Sequence, residues 1–152
     1  MRIDVVAIGK IKERYIEQAI DDYSRRLSRY CRLSVRTAVE EPFSDRDSEA
    51  RRAQLRAIEG RRLLNLVRPG SYVIASDLAG REVTSEELSA LIAGLATSGR
   101  GDITFLIGGP TGYAPEVPAR ADDRIRFSRM TFPHQLMRVI LLEQIYRAFK
   151  ID

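Results

Sequence analysis

Four stretches rich in apolar, largely β-branched residues recur along the chain: Ile3–Ile8, Leu33–Val39, Tyr72–Ala75 and Ile103–Ile107. Strands apolar on nearly every residue, separated by helical patterns, predict a parallel sheet covered on both faces, and therefore an α/β fold. Between the first two stretches, Ile16, Ile20, Tyr23, Leu27 and Tyr30 recur at three- and four-residue steps and share one helix face. In the next helical segment Ala50, Ala53, Ala57, Leu64 and Val67 mark the expected buried face, which Arg51, Arg52, Arg56, Arg61 and Arg62 largely avoid. The third strand is expected to end in a Ser76-Asp77-Leu78-Ala79-Gly80 loop. Thr84-Ser85-Glu86-Glu87 then predicts an N-cap followed by acids in the first turn of a helix reaching about Thr97.

The last third departs from simple alternation. Gly108-Gly109-Pro110-Thr111-Gly112 comes directly off a strand, followed by a short stretch from Ala114 to Ala121 and by Ile125-Arg126-Phe127. Ser128-Arg129-Met130-Thr131-Phe132-Pro133 reads as a loop, and a final helix runs from about His134 to Phe149. Apolar residues cover most of that helix, leaving a narrow polar strip through Arg138, Glu143 and Arg147. A helix apolar nearly all round needs burial on two sides. A second subunit is the natural cover, which predicts a symmetric homodimer.

The chain has 152 residues, 44% of them hydrophobic and 30% charged, with no linker-like segment, so it reads as one domain spanning 1–152. Its formal net charge of +4 allows an acidic partner without requiring one. One cysteine, Cys31, and one histidine, His134, exclude a disulfide within the chain and a Cys/His zinc cluster, so no metal is expected. No apolar run approaches the roughly 20 residues that span a bilayer, and no signal-peptide pattern opens the chain; a cytoplasmic protein with no membrane role is expected.

Ligands of open parallel sheets bind at the carboxyl ends of the strands. The first such loop, Gly9-Lys10-Ile11-Lys12, lacks G-x-G-x-x-G, and no G-x-x-x-x-G-K-[ST] occurs, which disfavours a Rossmann dehydrogenase and a P-loop NTPase. The glycines gather instead at Gly108, Gly109 and Gly112, where bare backbone can approach a small ligand. Ser76-Asp77-Leu78 and Ser128 to Pro133 should reach the same edge; Asp77 alone also suits a turn or cap. His134, at a helix N-terminus, fits a base, an RNA contact or a cap-region residue, and the helix dipole favours its neutral form. Glu143 and Arg147 form an i,i+4 pair in the favourable order. Cys31 opens a strand, where a nucleophilic thiol is not expected.

Three spaced motifs carry a resemblance. Phe105-Leu106-Ile107-Gly108-Gly109-Pro110-Thr111-Gly112, then Met130-Thr131-Phe132-Pro133-His134-Gln135-Leu136-Met137-Arg138-Val139, then Glu143-Gln144-Ile145-Tyr146-Arg147-Ala148, strongly resemble the ribosomal large-subunit pseudouridine N3-methyltransferase H family of the SPOUT superfamily. The likeness extends over nearly the whole chain. It implies an α/β knot, in which the C-terminal segment threads a trefoil, a fold the connection rules alone would not reach. It implies a homodimer, S-adenosyl-L-methionine as methyl donor, and methylation at N3 of a pseudouridine of 23S rRNA within the assembled 70S ribosome. By motif position the cofactor lies against Ser76, Asp77, Gly108, Gly109, Ser128, Arg129, Met130, Thr131, Phe132 and Pro133. His134, Arg138, Glu143, Tyr146 and Arg147 take active-site positions on the dimer side.

The family also carries a tail beyond the last helix with a Pro-Tyr-His-Arg-like motif that the partner subunit receives. Here the given sequence closes on Lys150-Ile151-Asp152, so either the tail lies beyond it, with strong cofactor binding and weaker methylation expected of this piece, or this member builds its RNA site differently. Methyl displacement depends chiefly on alignment. The N3 proton still needs an acceptor, for which His134, Glu143 and a water remain open. The alternatives are a non-catalytic RNA- or ribosome-binding module that keeps the fold, and a SPOUT enzyme acting on tRNA.

Overall fold

The computed structural model describes residues 1–152. In chain order the elements are β1 (Arg2–Ile8), α1 (Arg14–Leu27), β2 (Arg32–Ala38), α2 (Glu49–Asn65), β3 (Tyr72–Glu82), α3 (Ser85–Thr97), β4 (Asp102–Ile107), α4 (Glu116–Arg120), β5 (Asp123–Arg126) and α5 (His134–Ile151). The strands form one five-stranded sheet in the order β2-β1-β4-β3-β5, parallel throughout.

Period-two alternation gives the sheet two buried faces. Ile3, Val5 and Ala7, with Ile74, Ile103, Phe105 and Ile107, meet α1, α3 and α5 on one face. Val6, Ile8, Val73, Ala75 and Leu106 meet α2 and α4 on the other. The central strands β1, β4 and β3 are therefore the apolar runs visible in the sequence. β2, at the edge, keeps Ser34, Arg36 and Thr37 at least partly accessible, and it stops before Val39, which is 70% exposed.

Three expectations need correction. The buried face of α2 is Leu55, Glu59, Gly60 and Leu63, whereas Ala50 and Ala53 are exposed. Alanines carry too little apolar area to set the phase of a helix, which here follows the two leucines and Gly60. A Cβ at Gly60 would stand 3.3 Å from both Ala114 and Val117, so the glycine lets α2 lie close to the α4 segment.

Secondly, β3 does not end at Ala75. It pairs with β5 up to Ser76, is interrupted, and resumes at Arg81 and Glu82, so Asp77–Gly80 forms a bulged excursion within a strand.

Thirdly, the apolar circumference of α5 is largely covered within one chain. The helix lies on the sheet between α1 and α3 as the middle member of a three-helix layer, burying Met137, Arg138, Leu141, Leu142, Ile145 and Ala148. Leu136, Val139, Ile140, Tyr146 and Phe149 remain at least partly uncovered and Ile151 is exposed, so part of the apolar circumference is left without cover in one chain. The capping box at Thr84 forms as expected: its Oγ1 accepts from the Glu87 N–H at 3.0 Å, and Glu87 Oε1 accepts from the Thr84 N–H at 3.4 Å.

Candidate functional site

β4 is set apart by its exit. Its chain turns toward the α2/α4 face, while neighbours β1 and β3 exit toward the α1/α3/α5 face. Such divergence opens a crevice at the carboxyl end of a parallel sheet. Beside β4, on the β3/β5 side, lies a cavity of about 340 Å³, within the size range of small-molecule sites. Three bends wall it: Ser76–Leu78, Ile107–Gly109 with Gly112–Tyr113, and Arg126–Phe132, while His134 and Met137 of α5 close the remaining side.

The glycine-rich bend is a tight turn. The Gly112 N–H donates to the Gly109 carbonyl at 3.1 Å across Pro110-Thr111, and Gly112 has φ +90°. Proline and glycine occupy their favoured places in that four-residue turn. Gly108 and Gly109 themselves are not in the left-handed region; space explains both. A Cβ on Gly108 would come within 3.0 Å of the Tyr113 ring, and one on Gly109 within 3.0 Å of Ile8 and 3.5 Å of Glu59. The bare edge of Gly109 therefore faces the α2 side of the core and not the cavity.

α2 grips the tip of this turn. Arg56 donates to the Thr111 carbonyl at 3.3 Å, and the Thr111 hydroxyl lies 3.5 Å from Glu59 Oε1. Glu59 Oε2 accepts from the Glu41 N–H at 3.0 Å, so one buried carboxyl ties the β2–α2 connection to the glycine turn. Burial pushes the Glu59 carboxyl above the usual carboxylate range, opposed by the Glu41 hydrogen bond. Tyr113 donates its hydroxyl to the Leu106 carbonyl at 2.9 Å; burial, with Asp77 nearby, raises its phenol far above the ordinary value.

The other two bends are held by charge and close contact. Arg124 pairs with Asp77 at 2.9 Å, and Arg81 binds Asp123 through two nitrogens at 2.7 and 3.1 Å. Arg126 Nε donates to the Ser128 carbonyl at 3.1 Å and so shapes the start of the 128–133 loop. Gly80 has no room for a side chain: a Cβ would sit 2.6 Å from the Arg124 carbonyl group.

Of the residues singled out in the sequence, Ser76, Asp77, Gly108, Gly109, Ser128, Met130, Thr131, Phe132 and His134 line this one cavity. Arg129 and Pro133 adjoin it without lining it. Arg138 is fully buried behind His134, donating to the carbonyls of Ile8 and Gly9, with Nε and Nη1 unpartnered. Burial lowers the basicity of its guanidinium; His134 itself stays accessible at the cavity wall, and partial desolvation of its ring with the charge of Arg138 holds it below its ordinary value of 6.5 against a hydrogen bond to the Gly108 backbone. Glu143, Tyr146 and Arg147 lie further along α5. Arg147 Nε donates to Glu143 at 2.9 Å, and Tyr146 joins Tyr23 and Tyr30 in an aromatic cluster under Arg26.

Glu59, Gly80, Tyr113, Arg126 and Phe127 escaped sequence reasoning; the mid-helix Glu59-Gly60 pair was the one local signal of close packing. Cys31 is buried, with its thiol pushed up to about 11 and so not a thiolate at neutral pH. No group of three or more His, Cys, Asp or Glu stands ready to hold a metal ion, and no helix is long and apolar enough to cross a membrane.

The chain is of the SPOUT class: a family model described as "Predicted SPOUT methyltransferase" matches residues 1–152. The chain is 49% identical to "Ribosomal RNA large subunit methyltransferase H 1" of Clostridium perfringens (strain SM101 / Type A) over 151 residues, covering 99% of this chain and 95% of that protein. It is 48% identical to a ribosomal RNA large subunit methyltransferase H of Bifidobacterium animalis subsp. lactis (strain AD011), covering 100% of this chain and 96% of that one. A probable methylase family protein from Haemophilus influenzae Rd KW20 shares the fold with a TM-score of 0.57 at 13% identity, covering 98% of this chain and 66% of that one. The chain belongs to the ribosomal RNA large subunit methyltransferase H family of SPOUT methyltransferases.

Proposed function

We propose that the protein transfers a methyl group from S-adenosyl-L-methionine to N3 of a pseudouridine in 23S rRNA, acting on the assembled ribosome in the cytoplasm as a homodimer of single SPOUT domains. The observation that carries this is the convergence of three bends, distant in sequence, on one cavity at the carboxyl end of β4. Its lining fits a nucleoside donor: Phe127, Phe132, Ile107 and Leu78 offer apolar walls, while Ser76, Asp77, Ser128 and Thr131 offer a few polar groups. When bound, that donor supplies an electrophilic methyl on a sulfonium, which departs as a neutral thioether.

The chain's own work is positioning and proton removal. His134 is the neutral base on the cavity wall, and buried Arg138 beside it disfavours imidazolium; we assign it the N3 proton. Glu143 is committed to Arg147 and Gln144. Arg138 acts as a positioning residue, fastening α5 to the end of β1. Gln135 adds to this by donating to the Lys10 carbonyl at 3.0 Å and accepting from the Lys12 N–H at 2.8 Å. That return of α5 from the β5 edge to the β1–α1 connection supports the threaded, knotted path. The strip Leu136, Val139 and Ile140 supports a dimer seam, and Ile140→Asp should give a monomer in sedimentation.

Calorimetry with S-adenosyl-L-methionine and transfer of a labelled methyl to 70S particles test the reading together. His134→Gln should keep donor affinity and lose most turnover. Donor affinity unchanged by Phe132→Ala would remove the cavity as its site, and absence of transfer to ribosomes by the intact gene product would overturn the activity.

A further inference from the structure

A second cavity, of about 280 Å³, adjoins the first and shares three of its walls, Phe127, Ser128 and Phe132. The start of α3 and the outer side of α5 complete it, contributing Thr84 and Ser85 from one and Ile140 and Gln144 from the other. In-line transfer brings the attacking atom within about 3–3.5 Å of the methyl, so an acceptor's chamber must abut the donor's. Two shared aromatic rings provide flat faces of the kind on which an unstacked base rests.

One polar group in this chamber has a fixed orientation. Ser85 Oγ donates to Gln144 Oε1 at 2.6 Å, and Gln144 Nε2 donates to Glu143 at 2.9 Å. Glu143 is in turn held by Arg147 Nε at 2.9 Å. The Glu143 carboxylate can only accept, so it holds the amide with Nε2 toward it, and the Ser85 hydroxyl then donates to Oε1. Each end retains one free function, a lone pair on Oε1 and an N–H on Nε2. An amide offering acceptor and donor side by side complements a base edge carrying adjacent N–H and C=O groups.

Uridine has a single ring N–H, at N3, the atom that must be stripped for methylation. Pseudouridine has a second, N1–H, beside the C2 carbonyl. We infer that this chamber holds the acceptor base and that Gln144 reads its N1–H/C2=O edge, leaving N3 free to face the donor; this rests on the methyltransferase reading above. Gln144 is then a determinant of preference for pseudouridine over uridine, with Ser85 its positioning residue.

The test compares 70S ribosomes carrying either pseudouridine or uridine at the acceptor position. The wild type should show higher kcat/KM on pseudouridine. Gln144→Leu, of similar size, should lose about tenfold on pseudouridine, the worth of a neutral hydrogen-bond pair, and clearly less on uridine, which keeps the C2 carbonyl but has no N1–H. Ser85→Ala should lose a smaller part of the same preference, and donor affinity by calorimetry should be unchanged in both. Preference retained in Gln144→Leu, or an equal loss on both acceptors, overturns the assignment. Donor binding that ignores Phe132→Ala would instead remove the reading beneath it, so the two failures are distinguishable.

Discussion

The two outer pairings of the sheet are built on different principles. β1 and β2 pair over seven unbroken positions, from Arg2↔Arg32 to Ile8↔Ala38. β3 and β5 pair in two pieces, with Ile125 facing both Ser76 and Arg81 and the residues between them extruded. The first pairing is a ladder that alternation of side chains suffices to specify. The second depends on one close backbone approach, at Gly80, and on the pairs Arg124–Asp77 and Arg81–Asp123. Half-exposed ion pairs of this kind contribute at most about 1 kcal/mol each. The backbone contact therefore dominates, and the cleft opens where the ladder breaks.

Gly80→Ala attacks this difference most directly. A Cβ at 2.6 Å from the Arg124 carbonyl cannot be relieved by turning a flexible side chain, because the obstacle is backbone. It should cost about 1–3 kcal/mol in thermal or urea unfolding and abolish donor binding in calorimetry. Wild-type affinity in this variant would show that the bulge adjusts freely and that the contrast between the two edges is superficial.

Glu59→Ala comes next. It strips the Glu41 N–H and the Thr111 hydroxyl of their acceptor while also removing a carboxyl whose charge burial disfavours. The opposing effects leave a net loss of about 1 kcal/mol. Donor affinity should fall about tenfold as the glycine turn loosens. Gly94→Ala supplies the opposite sign: Gly94 is exposed within α3, a Cβ there meets nothing within 4 Å, and a gain of about 0.5–1 kcal/mol with unchanged binding is expected. Matched denaturation curves of the three variants would rank the glycine and carboxyl sites directly.

What was legible in the sequence follows the same division. β1 and β4 announce themselves because both their faces are buried, and Thr84 announces α3 through its cap. The cleft's glycines and the 128–133 loop were found by motif. Gly80 was placed in the loop after the third strand, but its role was not seen, because its reason is the backbone of Arg124, 44 positions away, and a glycine after Leu78-Ala79 looks like any turn. Glu59 was hidden among the arginines of α2, where a carboxylate reads as part of a solvated face. The alanine stripe misdirected the phase of that helix, since spacing records position and not the area a side chain can bury. The apolar wrap of α5 was read correctly, but periodicity could not tell how much of it α1 and α3 of the same chain cover.

The smallest expected effect concerns His134, where cleft and stability meet. Partial desolvation and Arg138 hold its folded-state value below the ordinary 6.5, so the unfolded chain takes up the proton first as the solution is acidified. With more protons bound in the unfolded state, stability falls as pH drops. The contribution is intact above pH 6.5 and is lost progressively as pH falls from there through the depressed folded value. His134→Gln, which cannot titrate, should therefore show a flatter Tm–pH profile below pH 6.5, with its offset from wild type constant above pH 7.5. His134 is the single histidine of the chain, so the difference between the two profiles isolates the cleft. A wild-type profile parallel to that of His134→Gln through this window would mean that the imidazole titrates as freely as in solvent, and that Arg138 does not hold it neutral for catalysis.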